Sequence, residues 1–192
     1  MYTQIDKFVS KCIELNEKEL DYFHSLLKFK KIKKKQFLLK AGEVCDFEGY
    51  VNKGCVRVYF IDEKGAEVDL FFAVEDWWVS DLASFTNQKP ADLFIQTIED
   101  CEILMIDYRS KEKLFEKVPK FERMFRIMMQ RSYDNTIRRL ISTISQPAEE
   151  RYLAFIKKYP TIPQRVPQHL IAAYLGISPE FLSKVRKKLS KL

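Results

Sequence analysis

The stretch 166-VPQHLIAAYLGISPEFLSKVRKKLSKL-192 reads as two short helices around one tight turn. Pro167 suits the first position of a helix, where its missing N–H costs nothing. Leu170, Ile171, Tyr174 and Leu175 then recur at helical spacing. Gly176 is placed to leave that helix through a left-handed conformation. Ser178, Pro179 and Glu180 restart it with a capping hydroxyl, a first-position proline and a first-turn acid. Phe181, Leu182, Val185 and Leu189 make the buried side of the second helix, and Lys184, Arg186, Lys187, Lys188 and Lys191 the other. Helices joined so tightly cross closely, and Ala172 before the glycine and Leu182 after it suit that crossing. The spacing is that of a helix-turn-helix, whose second helix enters the major groove of DNA. An ordinary helical hairpin with a solvated basic face shares the same pattern.

Charge favours the first of these readings. Residues 147 to 192 hold nine Lys/Arg and three acids, so the whole net charge of +6 lies there. The preceding 146 residues balance at 24 of each sign. Neutralising phosphates requires such a local excess. Hydrophobic content of 46% with 31% charged fits a soluble globular protein. No apolar run nears the ~18 residues of a membrane span, and the start shows no secretory pattern. Cys12, Cys45, Cys55 and Cys101 are scattered without a C-x-x-C pair. They read as reduced, structurally buried thiols in a cytoplasmic protein.

Upstream, residues 5 to about 28 read as one or two short helices, with Asn16 as a cap and Leu20, Phe23, Leu26 and Leu27 on an apolar face. The lysines between 28 and 35 are interrupted by Phe29 and Ile32 and read as a solvated edge. From 36 to 107 the pattern is of short strands: 37–40, then 50–61, a turn at Asp62-Glu63-Lys64-Gly65, a return over 68–73, and two more at 94–98 and 102–106. This spacing suggests an antiparallel sandwich or barrel. Ser110 is expected to cap a short helix, and Pro119 to open a long one reaching about Ile144. Phe121, Phe125, Met128 and Ser132, then Ile137, Leu140, Ile141 and Ile144, trace an apolar stripe along it. Pro147 restarts a helix with Tyr152, Leu153, Phe155 and Ile156 facing inward.

Gly42, YVNKGCVRVYFIDEKGAEVDLFF, a tight loop segment and IQTIEDCEILMID, in that order and followed by the terminal motif, resemble the Crp/Fnr family of bacterial transcription regulators. WWVSDLASFTNQKP and AEERYLAFIKKYPTIPQRVPQHLIAAYLGISPE resemble a subgroup common in Bacteroidetes. The resemblance implies an α+β fold: an antiparallel jelly-roll-like β-roll of the cyclic-nucleotide-binding type with flanking helices, a long dimerisation helix, and a C-terminal helix-turn-helix. The expected division is a sensor at 1–108, connecting and dimerisation helices at 109–145, and a DNA-binding module at 146–192. The sequence given ends at Leu192, so the wing usual in the family is expected to be lacking. In the family the long helix dimerises, and Phe121, Phe125, Met128 and Ser132 are the residues expected in that seam.

The family's nucleotide pocket uses a Gly-Glu pair for the ribose, and a helix start with an Arg for the phosphate. The matching candidate pocket here is Trp78, Ser80, Asp81, Leu82, Lys89, Pro90 and Ala91. Ser80-Asp81 replaces Gly-Glu, and no Arg occurs between Arg57 and Arg109. Without a bidentate guanidinium clamp, weak or absent binding of ordinary cAMP is expected, with an unknown small-molecule effector in its place. Iron–sulfur sensing would need more N-terminal cysteines than Cys12. His24 and His169 are the only histidines, so no metal cluster or haem ligation is expected, and no nucleophile–base arrangement of an enzyme is legible.

For DNA, Pro179, Glu180, Ser183 and Lys184 are the candidate base contacts. Pro179 stands where relatives often carry a base-reading Arg. Gln168, His169, Ser178, Arg186, Lys187, Lys188 and Lys191 are the candidate phosphate contacts. The expected partners are double-stranded DNA, a second copy of the chain and, by the resemblance, RNA polymerase, with no membrane. The competing reading is a ligand- or protein-binding signalling module without DNA binding.

Overall fold

Asn16 opens helix α2 (Glu17–Leu26) with a reciprocal cap: its side chain accepts from the Glu19 N–H, and Glu19 accepts from the Asn16 N–H, both at 2.9 Å. With α1 (Thr3–Ser10) it supplies Ile5, Val9 and Phe23 to one buried cluster, which Leu27, just past the end of α2, also joins. The computed structural model describes residues 1–189. Among these, eight strands form two four-stranded sheets. They are β1 (Lys28–Ile32), β2 (Phe37–Leu39), β3 (Phe47–Lys53), β4 (Val56–Ile61), β5 (Glu67–Ala73), β6 (Trp78–Val79), β7 (Phe94–Thr97) and β8 (Cys101–Asp107). The sheets run in the orders β1-β8-β3-β6 and β2-β7-β4-β5. The pairs β1–β8, β3–β8, β3–β6 and β2–β7 are antiparallel, the jelly-roll-like arrangement expected.

The chain divides into two compact units. The first is Met1–Val58 with Ala73–Ser132. Its core joins the α1 and α2 residues to Tyr50, Leu104 and Ile106 of the sheet. It is completed by Leu114 of α4 (Tyr108–Lys117) and by Phe121, Met124 and Phe125 of α5 (Lys120–Ser145). The second is Tyr59–Phe72 with Tyr133 onward. Asp62 shapes the turn in it: its carboxylate accepts from the Lys64 and Ala66 N–H groups at 2.9 Å, and Gly65 takes φ +80°.

The structure sharpens one expectation, changes another and adds a third feature. The lysine run is the solvated edge expected, and it is a paired strand: Lys28–Ile32 lies at the margin of its sheet with Lys28 opposite Met105 and Ile32 opposite Cys101. Lysine is a poor strand former in general but suits an edge, where its charge blocks further pairing. Lys28 and Lys31 also reach Asp107 and Glu102 at 2.8 and 3.6 Å. Helix α4 is capped not by Ser110 but by Asp107, whose carboxylate accepts the Ser110 N–H at 2.9 Å. Gly54, unremarked in the sequence, has φ +104°, and a Cβ there would lie 2.5 Å from the Cys101 sulfur, so only glycine fits between β3 and β4.

Candidate nucleic-acid interface

The second unit builds a three-helix scaffold from α6 (Ala148–Lys158), α8 (Gln168–Leu175) and α9 (Pro179–Leu189), with the short α7 (Ile162–Arg165) between. Helix α8 ends on Gly176 at φ +65°, and the Ile177 N–H returns to the Ala172 carbonyl at 3.1 Å. Ser178 then caps α9: its hydroxyl oxygen accepts the Phe181 N–H at 3.2 Å. Ala172 and Leu182 are fully buried, with Ile171, Leu175 and Val185 around them. The two helices therefore close on each other as the Ala-Gly-Leu spacing requires.

Burial of Leu182 and Val185 turns the rest of α9 outward. Pro179, Glu180, Ser183, Lys184, Lys187 and Lys188 are exposed, and Arg186 is half-buried on the flank. Gln168 and His169, at the start of α8, are exposed too. Lys191 lies outside the described residues. The Glu180 backbone N–H and the Ser178 hydroxyl hold the Glu180 carboxyl below the usual carboxylate range, so at neutral pH it is an ionised acceptor. Lys188 is tied to Glu149 in the first turn of α6, with 2.9 Å between Nζ and Oε2.

Two apolar residues expected inside are outside. Phe181 is 44% exposed and Leu153 43%. Each neighbours a buried residue along its helix, and a short helix in a three-helix module has room to bury only a narrow arc.

Arg139, near the end of α5, organises this unit from within. Its guanidinium donates to the Leu70 carbonyl, to the Asp69 carbonyl at 3.3 Å and to the Tyr174 carbonyl at 2.9 Å. It also lies 4.0 Å from the centroid of the Tyr174 ring. Arg151 donates to the Thr143 and Leu175 carbonyls at 2.9 and 3.0 Å. These carbonyl partners are not legible from residue spacing, which shows only that arginines recur along the helix.

Two of the four residues expected in a dimer seam are instead buried in the chain's own core. Phe121 is fully buried and Phe125 5% exposed, both within the first unit's own core, and Met128 packs against that core. Phe121 and Phe125 are thus unavailable to a partner helix, whereas Met128 is half-buried and Ser132 exposed. The apolar residues that α5 leaves in solvent are Met129, Tyr133, Leu140, Ile141 and Ile144, the last 78% exposed. Met129, Tyr133, Leu140 and Ile144 keep a spacing of four and seven.

At the candidate pocket, the polar atoms are tied to one another. Asp81 caps α3 (Leu82–Asn87), accepting the Ser84 N–H at 3.0 Å. Ser84 accepts the Cys45 N–H at 2.8 Å and donates to the Lys89 carbonyl. Ser80 donates to the Phe47 carbonyl at 2.9 Å. Leu82, Lys89 and Pro90 are exposed and Ala91 is buried. Trp78 does not join them: its ring packs on Tyr50 and Phe125, against the helical core. Burial pushes the Cys101 thiol up to about 11, the behaviour of a structural thiol. His24 pairs with Asp6 at 2.7 Å and stacks on Tyr2. Among the described residues no three of His, Cys, Asp and Glu converge on a metal position, and no helix is long and apolar enough to cross a membrane.

Residues 29–118 match the cyclic nucleotide-binding domain family. Over 190 residues the chain is 27% identical to an anaerobic regulatory protein of Pasteurella multocida, covering 93% of this chain and 69% of that one. It is 28% identical to the fumarate and nitrate reduction regulatory protein of Vibrio cholerae over 189 residues, 92% of this chain and 75% of that protein. Among solved structures, the c-di-GMP responsive global regulator CLP of Xanthomonas campestris superposes with a TM-score of 0.74 at 17% identity, covering 92% of each chain. FixK2 of Bradyrhizobium japonicum gives 0.75 at 16% identity, over 86% of this chain and 85% of that one. At these identities the structural likeness speaks for the fold.

Proposed function

We infer that this chain, which belongs to the Crp/Fnr family of transcription regulators, binds double-stranded DNA as a homodimer through α9 and couples that binding to a β-roll sensor. The family relation supports a regulator rather than an enzyme, acting on DNA in the cytoplasm with RNA polymerase as a further partner. The sensor corresponds to residues 1–108, the connecting and dimerisation helices to 109–145 and the DNA-binding module to 146–192.

The observation that carries this reading is the closed crossing at Gly176. It buries Leu182 and Val185 and leaves Glu180, Ser183, Lys184, Lys187 and Lys188 on one open face. The first turn, with Pro179, Glu180, Ser183 and Lys184, meets base edges. Gln168, His169, Ser178, Arg186, Lys187, Lys188 and Lys191 meet phosphates and set register. The outward stripe Met129, Tyr133, Leu140 and Ile144 supports a two-stranded seam along α5.

The effector is a small molecule other than ordinary cAMP. Ser80, Asp81 and Ser84 spend their hydrogen bonds on Phe47, Cys45, Lys89 and the start of α3, and no arginine joins them. A cyclic phosphate entering there would lack a guanidinium partner.

Titrating a mixed-sequence duplex with the protein across a salt series tests the reading. Binding that weakens linearly on a log–log plot, with a slope equivalent to several phosphates, is expected. No binding even at low salt would favour a signalling module that does not touch DNA.

A further inference from the structure

The exposed ring of Phe181 has a definite place on the α9 face. Apolar residues at 181, 182, 185 and 189 would ordinarily share one buried side, but Leu182 and Val185 are buried and Leu189 half-buried, while Phe181 stands 44% exposed in the first turn. The Ser178 cap fixes its backbone there. Phe181, Lys184 and Lys188 fall at i, i+3 and i+7, so the ring shares its face with two exposed cations. Glu180, its neighbour, is exposed as well. A large aromatic among charges gains nothing from water, and it has no donor or acceptor to offer a phosphate. The major groove presents one apolar group to such a side chain: the C5-methyl of thymine.

We propose that Phe181 reads a thymine methyl in the major groove and is a specificity-determining residue of the interface. This rests on the DNA-binding reading above. Lys188 brings the helix to the backbone, Glu180 accepts from a cytosine amino group, Lys184 meets a neighbouring base edge, and Phe181 covers the methyl of a thymine on the flank that it shares with Lys184. Discrimination at that base pair comes from apolar contact rather than from hydrogen bonding.

The test removes only the methyl. Each thymine of a duplex selected by the wild-type protein is replaced in turn by uracil, which keeps every hydrogen-bonding group of the base. One position per half-site is expected to lose about three- to fivefold in affinity, the worth of one buried methyl. Phe181→Ala is expected to bind the thymine and uracil duplexes equally while melting at the wild-type temperature. Because the uracil series is read on the wild-type protein, it stands even if the variant folds poorly. Wild-type affinity indifferent to uracil at every position, or uracil sensitivity that survives in Phe181→Ala, would overturn the assignment. Failure to select any duplex would instead remove the DNA-binding reading itself.

Discussion

Lys188 Nζ stands 2.9 Å from Glu149 Oε2 and 3.1 Å from Oε1, so a first-turn acid of α6 holds a cation of the recognition helix. A phosphate must compete with that carboxylate for the ammonium. Both side chains are largely in solvent, 65% and 40% exposed, and such pairs contribute ~1 kcal/mol or less. Glu149→Gln is therefore expected to tighten binding to every duplex by up to about fivefold and to steepen the salt dependence. Lys188→Ala should weaken all duplexes alike and reduce the salt slope by about one. Lys184→Ala should instead relax base preference. Fluorescence anisotropy on matched and mismatched duplexes over a salt series separates the three.

The exposed stripe on α5 is where the proposed dimer is expected to be most sensitive to charge. Ile144→Asp, or Leu140→Asp, is expected to shift sedimentation toward monomer and to weaken binding to a two-half-site duplex without lowering the melting temperature of the β-roll. Phe121→Ala should do the reverse. Its fully buried ring leaves a cavity, and a loss of about 3–5 kcal/mol in unfolding free energy is expected. Self-association that survives both aspartate variants would place the seam elsewhere.

Lys111 in α4 makes a buried ion pair with Glu48 in β3, at 2.8 Å with side chains 13% and 5% exposed. The same ammonium lies 4.2 Å from the centroid of Phe125. Burial raises the Glu48 carboxyl above its ordinary value, and the Lys111 charge pulls it back down. Lys111→Met removes the second influence and leaves a buried carboxylate, a cost of about 3–5 kcal/mol at neutral pH. A carboxyl with a raised folded pKa favours the folded state at low pH and loses that contribution as pH climbs through the raised value. The variant is thus expected to lie closer to wild type at pH 5 than at pH 7. Urea unfolding at both pH values reads this directly, and a larger deficit at pH 5 would contradict it.

Isothermal calorimetry with cAMP at neutral pH is expected to give no saturable heat at micromolar concentrations. Asp81 and Ser84 are already engaged with the start of α3, and Lys89 is an exposed point charge. Micromolar binding would show that a phosphate is clamped without arginine.

Much of this could be read from the chain alone where a residue type has few physical alternatives. Gly176 and Gly65 took the left-handed conformations that their turns require, and Ala172 sits at the helix crossing where only a small side chain fits. Asn16 announced the cap of α2, and the return bond from Glu19 was added by the structure. What escaped depended on how wide an arc each element could bury. Lys28–Ile32 reads as solvent-facing because its pairing is through backbone. Phe181 and Leu153 carry the apolar character of core residues, yet the small module closes over Leu182, Val185, Tyr152 and Phe155 without them. Along α5 the apolar stripe was visible. Its first turns drop into the β-domain core and only the later residues stay free, a difference set by tertiary packing rather than by periodicity. The carbonyl partners of Arg139 are backbone groups distant in sequence, which no side-chain pattern encodes.

Selecting bound sites from a pool of random duplexes decides whether α9 reads DNA as part of a dimer. An enriched, two-fold symmetric site is expected, with half-sites about one helical turn apart, ~34–36 Å or a multiple of it, for a dimer reading through α9. Enrichment of nothing, or of a single unpaired half-site, would contradict it.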